Sequence, residues 1–157
     1  MTTAKVHVVG AGLLGLGLAV GYRWWSHRKD GPALGYFDGI PRVLEVVTID
    51  GKPVEVKTAR AFEEMRRAAA AEGVRIRVVS GFRTMEEQRH LYDCYQLGTC
   101  NNGNYAEPPG YSKHQSGHAL DLNTREAGVA GWLNAHGGLY GFYATVSSEP
   151  WHWEYTG

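Results

Sequence analysis

One stretch of this chain constrains the fold more than any other. Residues 112–121 read Ser-Lys-His-Gln-Ser-Gly-His-Ala-Leu-Asp, and a second motif, Glu-Pro-Trp-His, follows at residues 149–152. His114 and Asp121 lie seven positions apart, too far to meet on one helix face as an i, i+4 pair. A loop and the strand after it must therefore converge, with Gly117 permitting the bend. His152 must then come from a neighbouring strand.

These residue types together suggest metal chemistry. Two imidazoles and a carboxylate, His114, His152 and Asp121, are three ligands of the kind that hold zinc in hydrolases with an open fourth position. Glu149, held in a turn by the proline after it, can act as general base, and Arg83 can stabilise an oxyanion. Taken singly, each residue fits an ordinary structural role. Their coincidence predicts one zinc per chain and a zinc peptidase.

The hydrophobic pattern predicts an α+β fold, a small antiparallel sheet flanked by helices. Val43 to Ile49, then Asp-Gly, then Pro53 to Val56 is typical of a β-hairpin. We expect a helix capped by Thr58 and ending at Gly73, with Phe62, Met65 and Ala69 on its buried face. The pattern also predicts a strand over 75–79 and a helix over 84–96, which starts at a Thr84/Glu87 capping box and is closed by Gly98. A third helix is expected up to Gly137, and further strands over 118–122, 139–146 and 151–155.

Other polar residues in these elements have simpler interpretations. In a strand over 118–122 side chains alternate, so His118 points away from Asp121 and is not a ligand with it. His136 falls at core spacing and is interpreted as a packed or capping histidine. Gln88, on an otherwise apolar helix stripe, either satisfies a buried hydrogen bond or faces a cleft with Arg83.

Length and charge narrow the class of protein. A chain of 157 residues forms one domain of ordinary size, large enough to bury a core that needs no stabilising metal ion or disulfide. Sixteen basic and sixteen acidic side chains give a formal net charge of zero, which argues against a nucleic-acid partner. We expect a monomer.

The two cysteines, Cys94 and Cys100, are separated by five residues in a predicted surface loop. This spacing suits a small disulfide ring, which would stabilise the fold by about 2 kcal/mol and imply an oxidising compartment. Two unpaired thiols are the alternative. A zinc role for them is not expected, because no second Cys or His pair lies at finger-like spacing.

The motifs also resemble a known family. The pattern Ser112-x-His-x-x-Gly-x-Ala-x-Asp121, the segment 149–152 and Ser80-Gly-Phe-Arg-Thr84 with Gln88 are similar to the VanY-type D-alanyl-D-alanine carboxypeptidases. These belong to a larger group of zinc peptidases that includes lysostaphin and the hedgehog signalling domain. The resemblance covers residues 43–157.

The resemblance implies zinc on His114, Asp121 and His152, with Glu149 as general base and Arg83 at the substrate carbonyl. Ser112 and Gln88 match positions that lie along the substrate. The implied substrate is a peptidoglycan stem peptide, the implied location is periplasmic or otherwise extracytoplasmic, and the implied fold is the small antiparallel sheet with flanking helices.

The N-terminal part is expected to lie outside this domain. Residues 1–30 contain an apolar run over 6–25 that suggests an anchor associated with the membrane, a cleaved export signal or a buried helix. The positive charge is greater on its C-terminal side, which argues against export of the domain. Its glycine content also resembles signal-arrest-release segments of some phage endolysins. Residues 31–42, rich in Gly and Pro, are predicted to be a linker before a peptidase domain over 43–157.

Three alternatives to a carboxypeptidase remain. A peptidoglycan endopeptidase of the endolysin type would use the same site on an internal bond. A zinc-stabilised binding domain without turnover would not need Glu149 and Arg83. A dinucleotide-binding oxidoreductase is suggested by Gly10-Ala-Gly-Leu-Leu-Gly15, but no second parallel strand follows that motif.

Overall fold

Two small antiparallel sheets and three helices form the part of the chain that the structure, a computed structural model, describes: residues 29–157. The first sheet has the order β1-β2-β3 and the second β4-β5-β7-β6. This architecture confirms the predicted α+β fold. The strands are β1 (Lys29–Phe37), β2 (Ile40–Ile49), β3 (Lys52–Glu55), β4 (Val78–Ser80), β5 (Ala119–Leu122), β6 (Phe142–Tyr143) and β7 (His152–Tyr155), and the helices are α1 (Val56–Ala71), α2 (Met85–Leu97) and α3 (Val129–His136). Two short 3-10 turns cover Asn101–Gly103 and Gly137–Tyr140.

The segment predicted to be a linker, residues 31–42, instead forms a β-hairpin. β1 pairs with β2 in antiparallel register from Lys29 opposite Val47 to Phe37 opposite Ile40. The connecting residues Asp38 and Gly39 both have positive φ, 49° and 83°, as a two-residue hairpin turn requires. The turn-forming pair Asp38-Gly39 therefore favours a hairpin here more strongly than the local proline and glycine content favours a linker. The predicted hairpin between β2 and β3 has the same turn chemistry and is present.

Helix α1 begins earlier than predicted. Its N-cap is Glu55, whose carboxylate accepts hydrogen bonds from the backbone N–H groups of Lys57 and Thr58 at 2.8 and 3.0 Å. Thr58 lies inside the helix, fully buried, and its hydroxyl donates to the carbonyl of Gly117 at 2.7 Å. The threonine thus connects α1 to the loop that carries His114.

Strand β4 is shorter than the predicted strand over 75–79. The Asn123 side chain accepts a hydrogen bond from the Arg77 N–H at 2.7 Å and donates one to the Arg75 carbonyl at 3.0 Å. These side-chain bonds replace a strand ladder at residues 75–77. The chain then enters β4 and turns into α2 at Arg83.

Helix α2 has the predicted ends. Thr84 and Glu87 form a reciprocal capping box, and Gly98 closes the helix in the left-handed conformation at φ 62°. The predicted disulfide joins Cys94, in the last turn of α2, to Cys100 in the loop after the helix. His90 lies near both sulfurs, but sulfurs joined in a disulfide offer no thiolate for a metal.

The core lies between α1, α3 and the inner faces of both sheets. Its fully buried side chains come from every layer of the fold, including Val47 and Val54 of the first sheet, Leu120 and Phe142 of the second, and Phe62, Met65 and Leu133 of the helices. His136 packs on the Trp132 ring, with centroids 4.7 Å apart, and its Nδ1 lies 3.1 Å from the Trp132 carbonyl. The histidine therefore has the predicted packing role.

The predicted anchor or signal over residues 6–25 lies outside the described residues. Among the helices of residues 29–157, none has the length and hydropathy of a membrane span.

Candidate metal centre

The loop that carries His114 is held from both sides. The β1–β2 hairpin contributes the Tyr36 N–H, which donates to the Gln115 carbonyl at 2.9 Å, and the Gly39 N–H, which donates to the Gly110 carbonyl at 2.9 Å. From the other side Thr58 binds the loop, as described above. His114 is 2% exposed at the centre of this support. The structure thus fixes this imidazole through contacts that lie far away in sequence.

Asp121 and His152 are brought together by sheet register. Asp121 of β5 pairs directly with His152 of β7, so the two side chains leave the same face of the sheet. His114 Nε2 lies 3.2 Å from Asp121 Oδ1 and 3.2 Å from His152 Nδ1, and the third side of this triangle, from His152 Nδ1 to Asp121 Oδ1, is 3.3 Å. The predicted set of three side chains therefore forms one compact cluster, buried on all three members.

The geometry of the cluster fits a zinc ion. Ligand atoms placed tetrahedrally at 2.0–2.1 Å from zinc lie about 3.3 Å from one another, the spacing seen in the triangle. The outward nitrogens also have acceptors: His114 Nδ1 lies 2.7 Å from the Gly81 carbonyl, and His152 Nε2 lies 3.4 Å from Glu154 Oε1. A proton on each outward nitrogen leaves a lone pair on each inward nitrogen. The inward lone pairs of His114 and His152 and the Asp121 Oδ1 atom therefore point at one place, with no hydrogen-bond donor among them. Such a place suits a cation.

The electrostatics of the three groups agree with this. Burial opposes ionisation of Asp121, but the neighbouring imidazoles of His114 and His152 and the charge of Arg83 hold its pKa well below the usual range. Burial lowers the pKa of His114, so this imidazole is neutral. Burial would also lower the pKa of His152, but the hydrogen bond and charge of Asp121 raise it. The two imidazoles of the cluster therefore have pKa values shifted in opposite directions.

Arg83 contacts the centre from the corner between β4 and α2. Its Nη2 donates to Asp121 Oδ2 at 3.0 Å, which leaves Oδ1 for the cluster. Gln88, 1% exposed, accepts from Arg83 Nη1 at 3.4 Å and donates to the Glu107 carbonyl at 2.7 Å. Ser112 Oγ accepts from the His114 N–H at 3.3 Å. Gln88 and Ser112 thus hold the site together, and both also line the cavity described next.

A cavity of about 330 Å³ opens beside the cluster and is lined by all seven predicted site residues. Glu149 reaches it from the loop between β6 and β7, where its carbonyl accepts from the His152 N–H at 2.9 Å. The carboxylate is half-buried, and its charge contributes to the raised pKa of His152. The Glu149 carboxylate thus lines the same cavity as the cluster of His114, Asp121 and His152.

Two carboxylates of this cavity were missed by the sequence interpretation. Glu154 accepts from Thr145 Oγ1 at 2.6 Å and faces His152 Nε2. It lies two residues after His152 in a strand, so alternation alone places both on one face. Glu107 lies in the irregular loop before Ser112, where no periodicity indicates its direction.

Comparison with known proteins identifies the family. Residues 51–157, more than half of the chain, match the family model described as VanY: D-alanyl-D-alanine carboxypeptidase. The chain belongs to the VanY family. Membership confirms the resemblance inferred from the motifs around His114 and His152, and the VanY match ends at the last residue of the chain.

Relatives in the VanY family agree in sequence and in structure. A D-alanyl-D-alanine carboxypeptidase of Enterococcus faecalis is 27% identical over an alignment of 134 positions, and the match covers 69% of this chain and 50% of that protein. VanYB in complex with D-alanine-D-alanine is 27% identical with a TM-score of 0.59 over 73% of this chain and 78% of that one. A variant of the vancomycin resistance D,D-pentapeptidase VanY in complex with Zn(II) is 26% identical with a TM-score of 0.58, over 73% and 79%. The chain spans about half the length of the curated relative from Enterococcus faecalis.

Proposed function

We propose that this protein is a zinc-dependent D-alanyl-D-alanine carboxypeptidase that acts on peptidoglycan stem peptides outside the cytoplasm. The observation that carries the proposal is the triangle of His114 Nε2, Asp121 Oδ1 and His152 Nδ1, with sides of 3.2, 3.2 and 3.3 Å, beside the Glu149 carboxylate. Family relatives support the substrate class, since one VanY structure holds D-alanine-D-alanine and another holds Zn(II). When bound, zinc supplies Lewis acidity, which polarises a carbonyl and acidifies water.

The chain's own residues would divide the remaining work. Glu149 accepts a proton from the attacking water and returns it to the leaving amine. Arg83, held against Asp121 and Gln88, directs its guanidinium toward the cavity and orients the substrate carbonyl. Asp121 stays ionised because its pKa is held low. Glu154 keeps the ring of His152 in one orientation.

An endopeptidase remains a second candidate because of a second groove. It adjoins the first cavity, shares Asn101, Asn104, Asp121 and Trp151 with it, and is also lined by Arg125 and Glu126. A substrate cut at an internal bond needs room on both sides of the reacting carbonyl, and this groove supplies such room. A domain that binds zinc without turnover is less well supported, because a structural site has no use for a base such as Glu149.

The test uses the full-length chain with a muropeptide pentapeptide, with and without a chelator, and identifies the products by mass. Loss of one alanine, abolished by the chelator, is the expected result. A split stem would favour the endopeptidase. No cleavage under any metal condition would overturn the proposed function.

A matched variant tests the mechanism. We expect Glu149→Gln to keep about one bound zinc per chain while turnover falls by several orders of magnitude. Zinc content is measured on the same preparation by atomic absorption. A fully active Glu149→Gln protein would remove Glu149 from the mechanism.

A further inference from the structure

The cavity beside the metal centre carries an excess of negative charge. Its lining includes four carboxylates, Asp121, Glu149, Glu154 and Glu107, against one guanidinium, that of Arg83. A bound zinc ion contributes two positive charges and still leaves one negative charge in excess. The cavity is therefore more acidic than a site for an anionic peptide terminus requires.

Three of the four carboxylates have partners in the centre or a role in the proposed reaction. Asp121 belongs to the ligand triangle, and Glu149 is the proposed base. Glu154 accepts from Thr145 Oγ1 and faces His152 Nε2. Glu107 alone has neither a ligand contact nor a role in the proposed reaction.

Glu107 is fixed in the cavity wall by its backbone. Its carbonyl accepts from the buried amide of Gln88 at 2.7 Å, and the same amide group accepts from Arg83. The Glu107 side chain lines the same cavity as the metal-ligand cluster. Its position relative to the metal centre is thus set by the same residues that hold Arg83.

The charge of Glu107 is poorly compensated. Within residues 29–157 its carboxylate forms no ion pair. Burial raises the pKa of Glu107 and the charge of Glu154 raises it further, while the charges of His152 and Lys113 lower it and offset only part of the shift. A cation entering the cavity would relieve both effects, because it would supply the missing counter-charge in a partly desolvated place.

We infer that Glu107 forms a subsite for a cationic group of the substrate, such as the primary amine of a peptide side chain, and that it selects amine-bearing peptides. The inference rests on the proposed function for the reaction itself. An acylated amine has no charge and loses this interaction while keeping nearly the same length. The subsite therefore discriminates by charge.

The experiment compares two peptides, Nα-acetyl-L-Lys-D-Ala-D-Ala and its Nα,Nε-diacetyl form, on the zinc-loaded full-length chain. Glu107→Gln keeps the length and polarity of the side chain and removes its charge. Glu64→Gln, on the exposed face of α1, removes the same charge far from the cavity. We expect Glu107→Gln to lower the ratio of kcat/KM for the amine peptide to that for the diacetyl peptide by about 3- to 10-fold. Glu64→Gln should leave the ratio unchanged.

A binding measurement separates this inference from the proposed reaction. Dissociation constants for both peptides are measured by calorimetry in a Glu149→Gln background, with and without Glu107→Gln. Tighter binding of the amine peptide that depends on Glu107 supports the subsite even if no peptide is cleaved, a result that would count against the proposed reaction alone. Equal affinity for the two peptides, equal loss of both on Glu107→Gln, or no binding of either peptide would overturn the inference.

Discussion

Gly117 offers a direct test of how the fold holds the His114 loop. It has φ +75°, and a Cβ placed on it would lie 2.5 Å from Glu55 Cβ and 3.0 Å from Glu55 Cγ. Carbon atoms in contact normally lie about 3.5–4.0 Å apart, so Gly117→Ala must displace Glu55 or the loop. Glu55 is the N-cap of α1, bound to two backbone N–H groups. The substitution therefore disturbs the helix start and the loop together.

The magnitude follows from three contributions. The left-handed conformation is less favourable for alanine by about 1–2 kcal/mol. Displacing the Glu55 cap costs about 1 kcal/mol, and the forced contact adds about 1–3 kcal/mol. Gly117→Ala should thus lower the free energy of unfolding by about 3–6 kcal/mol.

Gly73 provides the matched control. Its φ is +80°, nearly that of Gly117, but a Cβ there meets nothing within 4 Å. Gly73→Ala should therefore lower the free energy of unfolding only by the cost of the left-handed conformation, about 1–2 kcal/mol. Urea unfolding followed by circular dichroism, with chelator present so that metal binding does not add to stability, measures both. Equal losses for the two variants would refute the close approach between Gly117 and the cap of α1.

Three further predictions concern single groups. Asp121→Asn should weaken zinc binding strongly in equilibrium dialysis, because the amide brings no charge to the ion; unchanged affinity would remove Asp121 from the ligand set. Replacing Cys94 and Cys100 by serine should lower the free energy of unfolding by about 2 kcal/mol, and alkylation that labels both cysteines of the unreduced protein would refute the disulfide. Burial lowers the pKa of His118, so below about pH 6.5 the unfolded chain binds a proton that the folded chain does not. Stability therefore falls on acidification, and His118→Gln should reduce the loss measured by urea unfolding between about pH 7 and pH 5; an equal loss in both proteins would contradict this.

Local chemistry explains which elements could be predicted from the sequence. The capping box at Thr84 and the left-handed Gly98 are short-range signals, and both ends of α2 were correct. The Asp38-Gly39 turn carries the same signal as Asp50-Gly51, but the surrounding prolines and glycines favoured a linker. Pro32 is compatible with β1 because β1 is an edge strand, where one missing donor leaves the ladder intact.

The clustering of His114, Asp121 and His152 could be predicted from residue type, but the partners that orient them could not. His114 is oriented by the carbonyl of Gly81, and a backbone carbonyl has no residue-type signal. Thr58 was interpreted as a helix cap because its type fits one, whereas its hydroxyl binds the Gly117 carbonyl 59 residues away. Such contacts depend on the tertiary arrangement, which no local pattern specifies.

The three side chains of the candidate metal centre differ in how firmly the fold places them. Asp121 and His152 face each other across a strand pair, and a slip of one residue would turn either side chain to the opposite face of the sheet. The buried Leu120 and Leu122 on that opposite face make such a slip unfavourable, so core packing fixes the positions of Asp121 and His152. His114 instead depends on a loop held by the Tyr36 N–H and the Thr58 hydroxyl. The position of His114 therefore depends on the stability of the β1–β2 hairpin and of the start of α1.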